Sequence, residues 1–145
     1  MEEQHKKILA RIQPIEEFKV DTLDEMDHIV FAAFLLASID DYIDDLETDE
    51  IHKFAKNHWN PDFGDMPNFL KAVDKKLSDF LFPEYDFAPT FDQHVGKFME
   101  IARDVLRPEL QLGLLYLMKL VMEADEIFEP REVLLLTSYA EILEI

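Results

Sequence analysis

Apolar residues recur at helical spacing along most of the chain, and no segment carries a strand signal strong enough to place a sheet. Ile8, Leu9 and Ile12 mark one face of a first helix over about 3–13, which Pro14 ends or kinks. Thr22-x-x-Glu25 reads as a capping box opening a second helix. From Ile29 to Ala37 that helix is apolar all round, so it belongs at the centre of the fold. A third helix is predicted after Asp44, continuing to about His58, and Asn60 to Met66, with Pro61 and Gly64, form a loop. Phe69, Leu70, Val73, Leu77, Phe80 and Leu81 give a fourth helix that opens near Pro67 and stops at Pro83. Thr90-x-x-Gln93 caps a fifth, carrying Phe91, Val95, Phe98, Ile101, Ala102 and Val105. A sixth, about Glu109 to Ala124, has Leu on most faces and is the second central rod. The seventh begins at Pro130 and carries Val133, Leu136, Tyr139, Ala140 and Leu143. The pattern therefore predicts an all-α fold of about seven helices.

An acidic phrase follows each central helix. Asp40-Asp41-Tyr42-Ile43-Asp44-Asp45-Leu46-Glu47 returns 85 positions later as Asp125-Glu126-Ile127-Phe128-Glu129-Pro130-Arg131-Glu132. The match keeps packing positions as well as acids: Leu35 falls on Leu120, Ile51 on Leu136, and Phe54-Ala55 on Tyr139-Ala140. A repeat of this kind points to a duplicated helix–acidic loop–helix unit, hence two pseudo-symmetric halves around the central pair.

Half of these acids have an ordinary explanation. Asp44-x-x-Glu47 is a capping box, and Glu129-x-x-Glu132 takes the same positions with Pro130 at the first helical residue. Asp40, Asp41, Asp125 and Glu126 are different, because they follow the ends of apolar helices. An acid at a helix C-terminus is disfavoured by roughly 0.3–1 kcal/mol. No Lys or Arg precedes the capping acid in either loop to offset that. Free carbonyl oxygens at a helix end plus carboxylates are the donor set of Ca²⁺ or Mg²⁺. A solvated acidic surface and a divalent-cation site are both open readings of the phrase.

Composition narrows the function classes. The 145 residues are 48% hydrophobic, with three Gly and no Cys, which suits one helical domain over 1–145 and removes disulfides, thiolate metal sites and cysteine nucleophiles. The net charge of −18 repels nucleic-acid phosphates and anionic membrane surfaces, and attracts cations and proteins with a basic surface. The start, Met1-Glu2-Glu3-Gln4-His5-Lys6-Lys7, has no apolar signal core behind it, and no apolar run is long enough to span a bilayer. A cytoplasmic protein is the expectation.

The doubled phrase, set between an Ala/Leu-rich helix and a second helix, resembles the TerB-like domain. That is the family of tellurite-resistance protein B and of the N-terminal region of some membrane-tethered J-domain co-chaperones. The resemblance runs from about Asp24 to Ile145 and is closer in the second copy, where Leu114 to Met118 lead into Ala124-Asp125. It implies an all-helical fold with pseudo-twofold halves, a place in stress-response or scaffolding assemblies, and no established catalysis. It also implies candidate divalent-metal residues: Asp40, Asp44 and Glu47 in the first copy, Asp125, Glu129 and Glu132 in the second. The family usually has Gly after the first Asp, where Asp41 and Glu126 stand here, residues that do not readily take the positive-φ turn that Gly permits.

Other motifs point less far. Glu126-x-x-Glu129 and Glu129-x-x-Glu132 are similar to the acidic pairs of Mg²⁺-dependent all-α nucleotide pyrophosphohydrolases, the leading enzyme alternative, although Pro130 interrupts their helix face. Asp40-Asp41-Tyr42-Ile43-Asp44 spells the aspartate-rich motif of isoprenoid synthases, which need a longer bundle and a second motif. Glu25-x-x-His28 has di-iron spacing but reads more simply as a surface His near a helix start. His52, His58 and His94 are scattered, and Trp59 reads as packing. A metal-free acidic protein-interaction domain is the third alternative.

Overall fold

The computed structural model describes residues 3–12, 14, 19–38, 45–81, 91–124 and 130–144. Among them are seven α-helices and no strand: α1 (Glu3–Arg11), α2 (Leu23–Ala37), α3 (Asp45–Asn57), α4 (Met66–Leu81), α5 (Phe91–Val105), α6 (Pro108–Glu123) and α7 (Pro130–Ile142). A 3₁₀ turn, Pro61–Phe63, occupies part of the stretch expected as plain loop. Asn60 accepts from the Asp62 N–H through its side chain there, and Gly64, at φ 94°, ends the turn in a conformation that suits only glycine well.

The helix boundaries repeat with the sequence. Leu23 and Pro108, which open α2 and α6, are 85 positions apart, as are Asp45 and Pro130 and likewise Asn57 and Ile142, the two ends of α3 and α7. The packing residues follow: Ile51 and Leu136 are both sealed from solvent, as are Ala55 and Ala140. α4 lies between the two units and has no counterpart among the described helices.

α2 and α6 share the most extensive helix–helix interface. α2 is enclosed almost completely, with Met26 and His28 through Ala37 all buried, and its small Ala32, Ala33 and Ala37 permit close helix approach. α3 packs against both central helices, α4 and α5 cover α2, and α7 lies against α6, α1 and α5. Cations secure several helix ends. Lys119 Nζ donates to Leu9 O at 3.2 Å at the end of α1, and Arg103 Nε donates to Ile142 O at 2.6 Å at the end of α7. No described helix is long and apolar enough to cross a membrane.

Arg107 joins the starts of the two central helices. Thr22 caps α2 by accepting from the Glu25 N–H at 3.2 Å, and Glu25 Oε1 accepts from the Thr22 and Asp21 N–H groups at 2.9 and 3.0 Å, as the sequence predicted. Arg107, at the N-cap position of α6, then donates through Nε to Glu25 Oε2 at 3.2 Å and through its terminal nitrogen to Lys19 O at 2.7 Å. It also pairs with Asp21 and Glu109, each at 3.2 Å. Burial by itself raises the Glu25 carboxyl, but hydrogen bonds from the Thr22 backbone, Arg107 and Asp21 outweigh it and hold the group below its ordinary value.

Candidate functional site

Each candidate junction begins where a central helix ends. α2 finishes at Ala37, and Ser38 closes it by donating its N–H to Phe34 O at 3.0 Å and its hydroxyl to Leu35 O at 3.1 Å. α6 finishes at Glu123, with the Ala124 N–H reaching only Val121 O at 3.3 Å. Neither α2 nor α6 has a basic residue in its last turn, whereas α1, α3 and α5 have Arg11, Lys56 and Arg103. α4 and α7 also lack a basic residue in the last turn, and for α7 Arg103 of α5 serves the helix end.

Of the six candidate ligands, Asp40, Asp44, Asp125 and Glu129 lie outside the described residues. Glu47 and Glu132 are described, and both are 2% exposed. Each is the third residue of its helix, α3 and α7 respectively, so the repeat brings both carboxylates to equivalent buried places. Glu25 is the third residue of α2 and is also buried. In all three helices a glutamate in the first turn is folded inward, where helix N–H groups and the dipole favour a negative charge. No three acidic or imidazole groups come together as a metal cluster among the described residues. Glu126 and Glu129, two of the three acids of the pyrophosphohydrolase pattern, are outside the described residues too, and α7 opens only at Pro130.

The reading of His28 as a surface residue is corrected. It is 5% exposed, its ring stacks on Phe98 with centroids 4.3 Å apart, and its Nε2 is buried with no hydrogen-bond partner among the described residues. The sequence placed it near the solvent because it stands close to a helix start. Asp24 stays exposed and Asp27 partly exposed, whereas His28 is buried where α5 brings Phe98 against its ring, a contact between distant parts of the chain. Burial is the main cause that lowers its pKa, to about 4, with Lys76 adding to the effect and Asp27 opposing it. A buried neutral imidazole beside an aromatic ring, with Glu25 engaged by Arg107, is no di-iron ligand pair.

Phe98 also meets Phe31 at 4.7 Å and Tyr139 at 6.5 Å, both edge-on. Tyr139 is fully buried, and its hydroxyl has no hydrogen-bond partner among the described residues. Burial pushes that hydroxyl well above its ordinary range, so it stays neutral. Removing an unsatisfied buried hydroxyl without changing the ring shape relieves a desolvation penalty. Tyr139→Phe is therefore expected to stabilise the fold by about 1 kcal/mol in a urea denaturation series. A loss of stability of that size would mean the hydroxyl has a partner in solution.

Trp59 is a packing residue, as expected. It lies against Phe63 at 5.4 Å and Phe69 at 5.2 Å, and its Nε1 donates to Gly64 O at 3.1 Å, tying the 3₁₀ turn to α4. The structural role of Arg107 was missed. Its one sequence signal is position, since it stands 85 residues after Thr22, immediately before a helix opened by Pro108.

With this geometry in hand, the chain matches no known protein-family description, no curated protein and no solved structure.

Proposed function

We propose that this chain is a cytoplasmic, non-enzymatic binding or scaffold domain of the TerB-like kind, acting in stress-response assemblies, whose two acidic junctions hold divalent cations. The observation that carries the reading is the pair Glu47 and Glu132, buried to the same degree at the same position of two helices whose ends lie 85 residues apart. The missing basic residues at the ends of α2 and α6 add to it. Asp40, Asp44 and Glu47 would hold Ca²⁺ or Mg²⁺ in one copy, and Asp125, Glu129 and Glu132 in the other. Carboxylate and carbonyl oxygens are hard donors suited to these ions. A bound cation would neutralise the junction and set the angle at which the next helix leaves it. Millimolar Ca²⁺ or Mg²⁺ should raise the melting temperature, and Asp40→Asn combined with Asp125→Asn should abolish the rise. A melting temperature indifferent to both ions would remove the cation from the proposal.

A metal-free version rests on Glu25, which shows that a glutamate at this helical position can be buried and fully engaged by backbone N–H groups and an arginine. In that version the net charge of −18 recruits a partner with a basic surface. Capture of such partners would then weaken with salt and ignore chelators.

A further inference from the structure

The duplication exposes a face that is covered in one copy and open in the other. On α2, Asp27 and Phe31 share a face, with Leu35 one turn on, and α4 packs there. Lys76 Nζ of α4 pairs with Asp27 Oδ1 at 2.8 Å and lies 5.0 Å from the centre of the Phe31 ring. Beneath it Phe31 is 1% exposed and Leu35 is sealed. The residues 85 positions later on α6 are Leu112, Tyr116 and Leu120. α6 packs mainly against α2, α3 and α7, and no described helix takes the place that α4 takes on α2. Leu112 is 42% exposed, and Tyr116 and Leu120 are partly exposed. Where the covered copy presents Asp27 to a lysine, the open copy presents Leu112, so the open stripe is the more apolar of the two. Glu109 and Glu123 bracket it, on the order of 20 Å apart along the helix.

We propose that this face of α6 docks an amphipathic helix of a partner protein, one with an apolar stripe like that of α4 and lysine or arginine along its edges. The internal repeat supplies the shape argument: a 16-residue helix already covers the equivalent face of α2. It carries Phe69, Leu70, Val73 and Leu77 toward the core with Lys71, Lys75 and Lys76 beside them. Electrostatics selects the occupant. A second copy of a chain with net charge −18 is repelled, and a basic helix is attracted to a stripe bracketed by glutamates. The docking depends on the helix duplication alone, and no cation enters it.

The test is fluorescence anisotropy in chelator, with the full chain titrated into a labelled peptide of residues 66–81 carrying Lys76→Leu to match Leu112 and Asp74→Lys with Asp79→Lys to make it basic. Saturable binding is expected, with a loss of roughly tenfold or more for Leu112→Glu and a smaller loss for Leu112→Ala, the less disruptive change at an exposed site. A peptide of equal charge carrying Val73→Ser and Leu77→Ser should not bind. No saturable binding overturns the proposal, as does equal binding by the Leu112 variants, which would place the peptide elsewhere. Equal binding of the serine peptide reduces the contact to bare charge and overturns it as well. A concentration-dependent dimer in sedimentation that Leu112→Glu abolishes would assign the face to a second copy instead.

Discussion

Glu25→Ala is expected to lower the folding free energy by about 3 kcal/mol, combining a lost helix cap of about 1 kcal/mol with a lost charge-assisted hydrogen bond of about 1.5–3 kcal/mol. For a chain of this size that corresponds to a fall in melting temperature of roughly 6–12 °C. The effect is large because one carboxylate performs two tasks. Its Oε1 holds the Asp21 and Thr22 N–H groups at the start of α2, and its Oε2 holds Arg107 at the start of α6. Arg107→Met should destabilise in the same direction, and the double variant should cost less than the two single changes together, since both break one contact. Strict additivity in that cycle would show that the two helix starts are secured independently. The pH dependence has a definite sign. The folded state holds the Glu25 carboxyl below its ordinary value of 4.5, so its contribution is present at neutral pH and lost as pH falls through and below that value.

His28 is expected to make the fold acid-sensitive in a higher window. The folded state lowers its pKa from 6.5 to about 4, so between those values the unfolded chain binds the proton and the folded chain does not. Stability should be complete above pH 6.5 and decline toward pH 4, by about 3 kcal/mol in all, because each pKa unit is worth about 1.36 kcal/mol. The cause is the site itself: Phe98 stacked on one face, Nε2 sealed from solvent, and the Lys76 ammonium nearby, with Asp27 giving only partial compensation. To isolate the imidazole, the measurement is a difference between two chains. His28→Leu and the parent chain should unfold in urea with a gap that shifts in favour of the variant by that amount as pH falls from 7 to 4. A gap that is constant with pH would mean that the imidazole is solvated in the folded state.

Much of the fold was legible because helical signals are local. The box Thr22-x-x-Glu25, the apolar run Ile29 to Ala37 and the opening at Pro130 each act within a few residues. The 85-residue repeat was legible for the same reason, since it preserves packing residues and the first-turn glutamates Glu47 and Glu132. Glu47 and Glu132 could be named from spacing as first-turn acids, but their burial could not, because burial depends on which other helices close over the turn.

What the amino-acid order determined alone is therefore the set of helices, the Thr22–Glu25 cap of α2, the duplication and a surplus of negative charge. What only the tertiary structure decided is which faces those helices hide. α2 and α6 have similar patterns, yet α4 covers the Phe31 face of one and leaves Tyr116 on the other partly open, while His28 goes under Phe98 and Arg107 reaches back 82 residues to Glu25. The physical reason is range: hydrogen bonds and side-chain spacing within a helix act over three or four residues, whereas burial and ion pairing depend on groups brought together from distant parts of the chain.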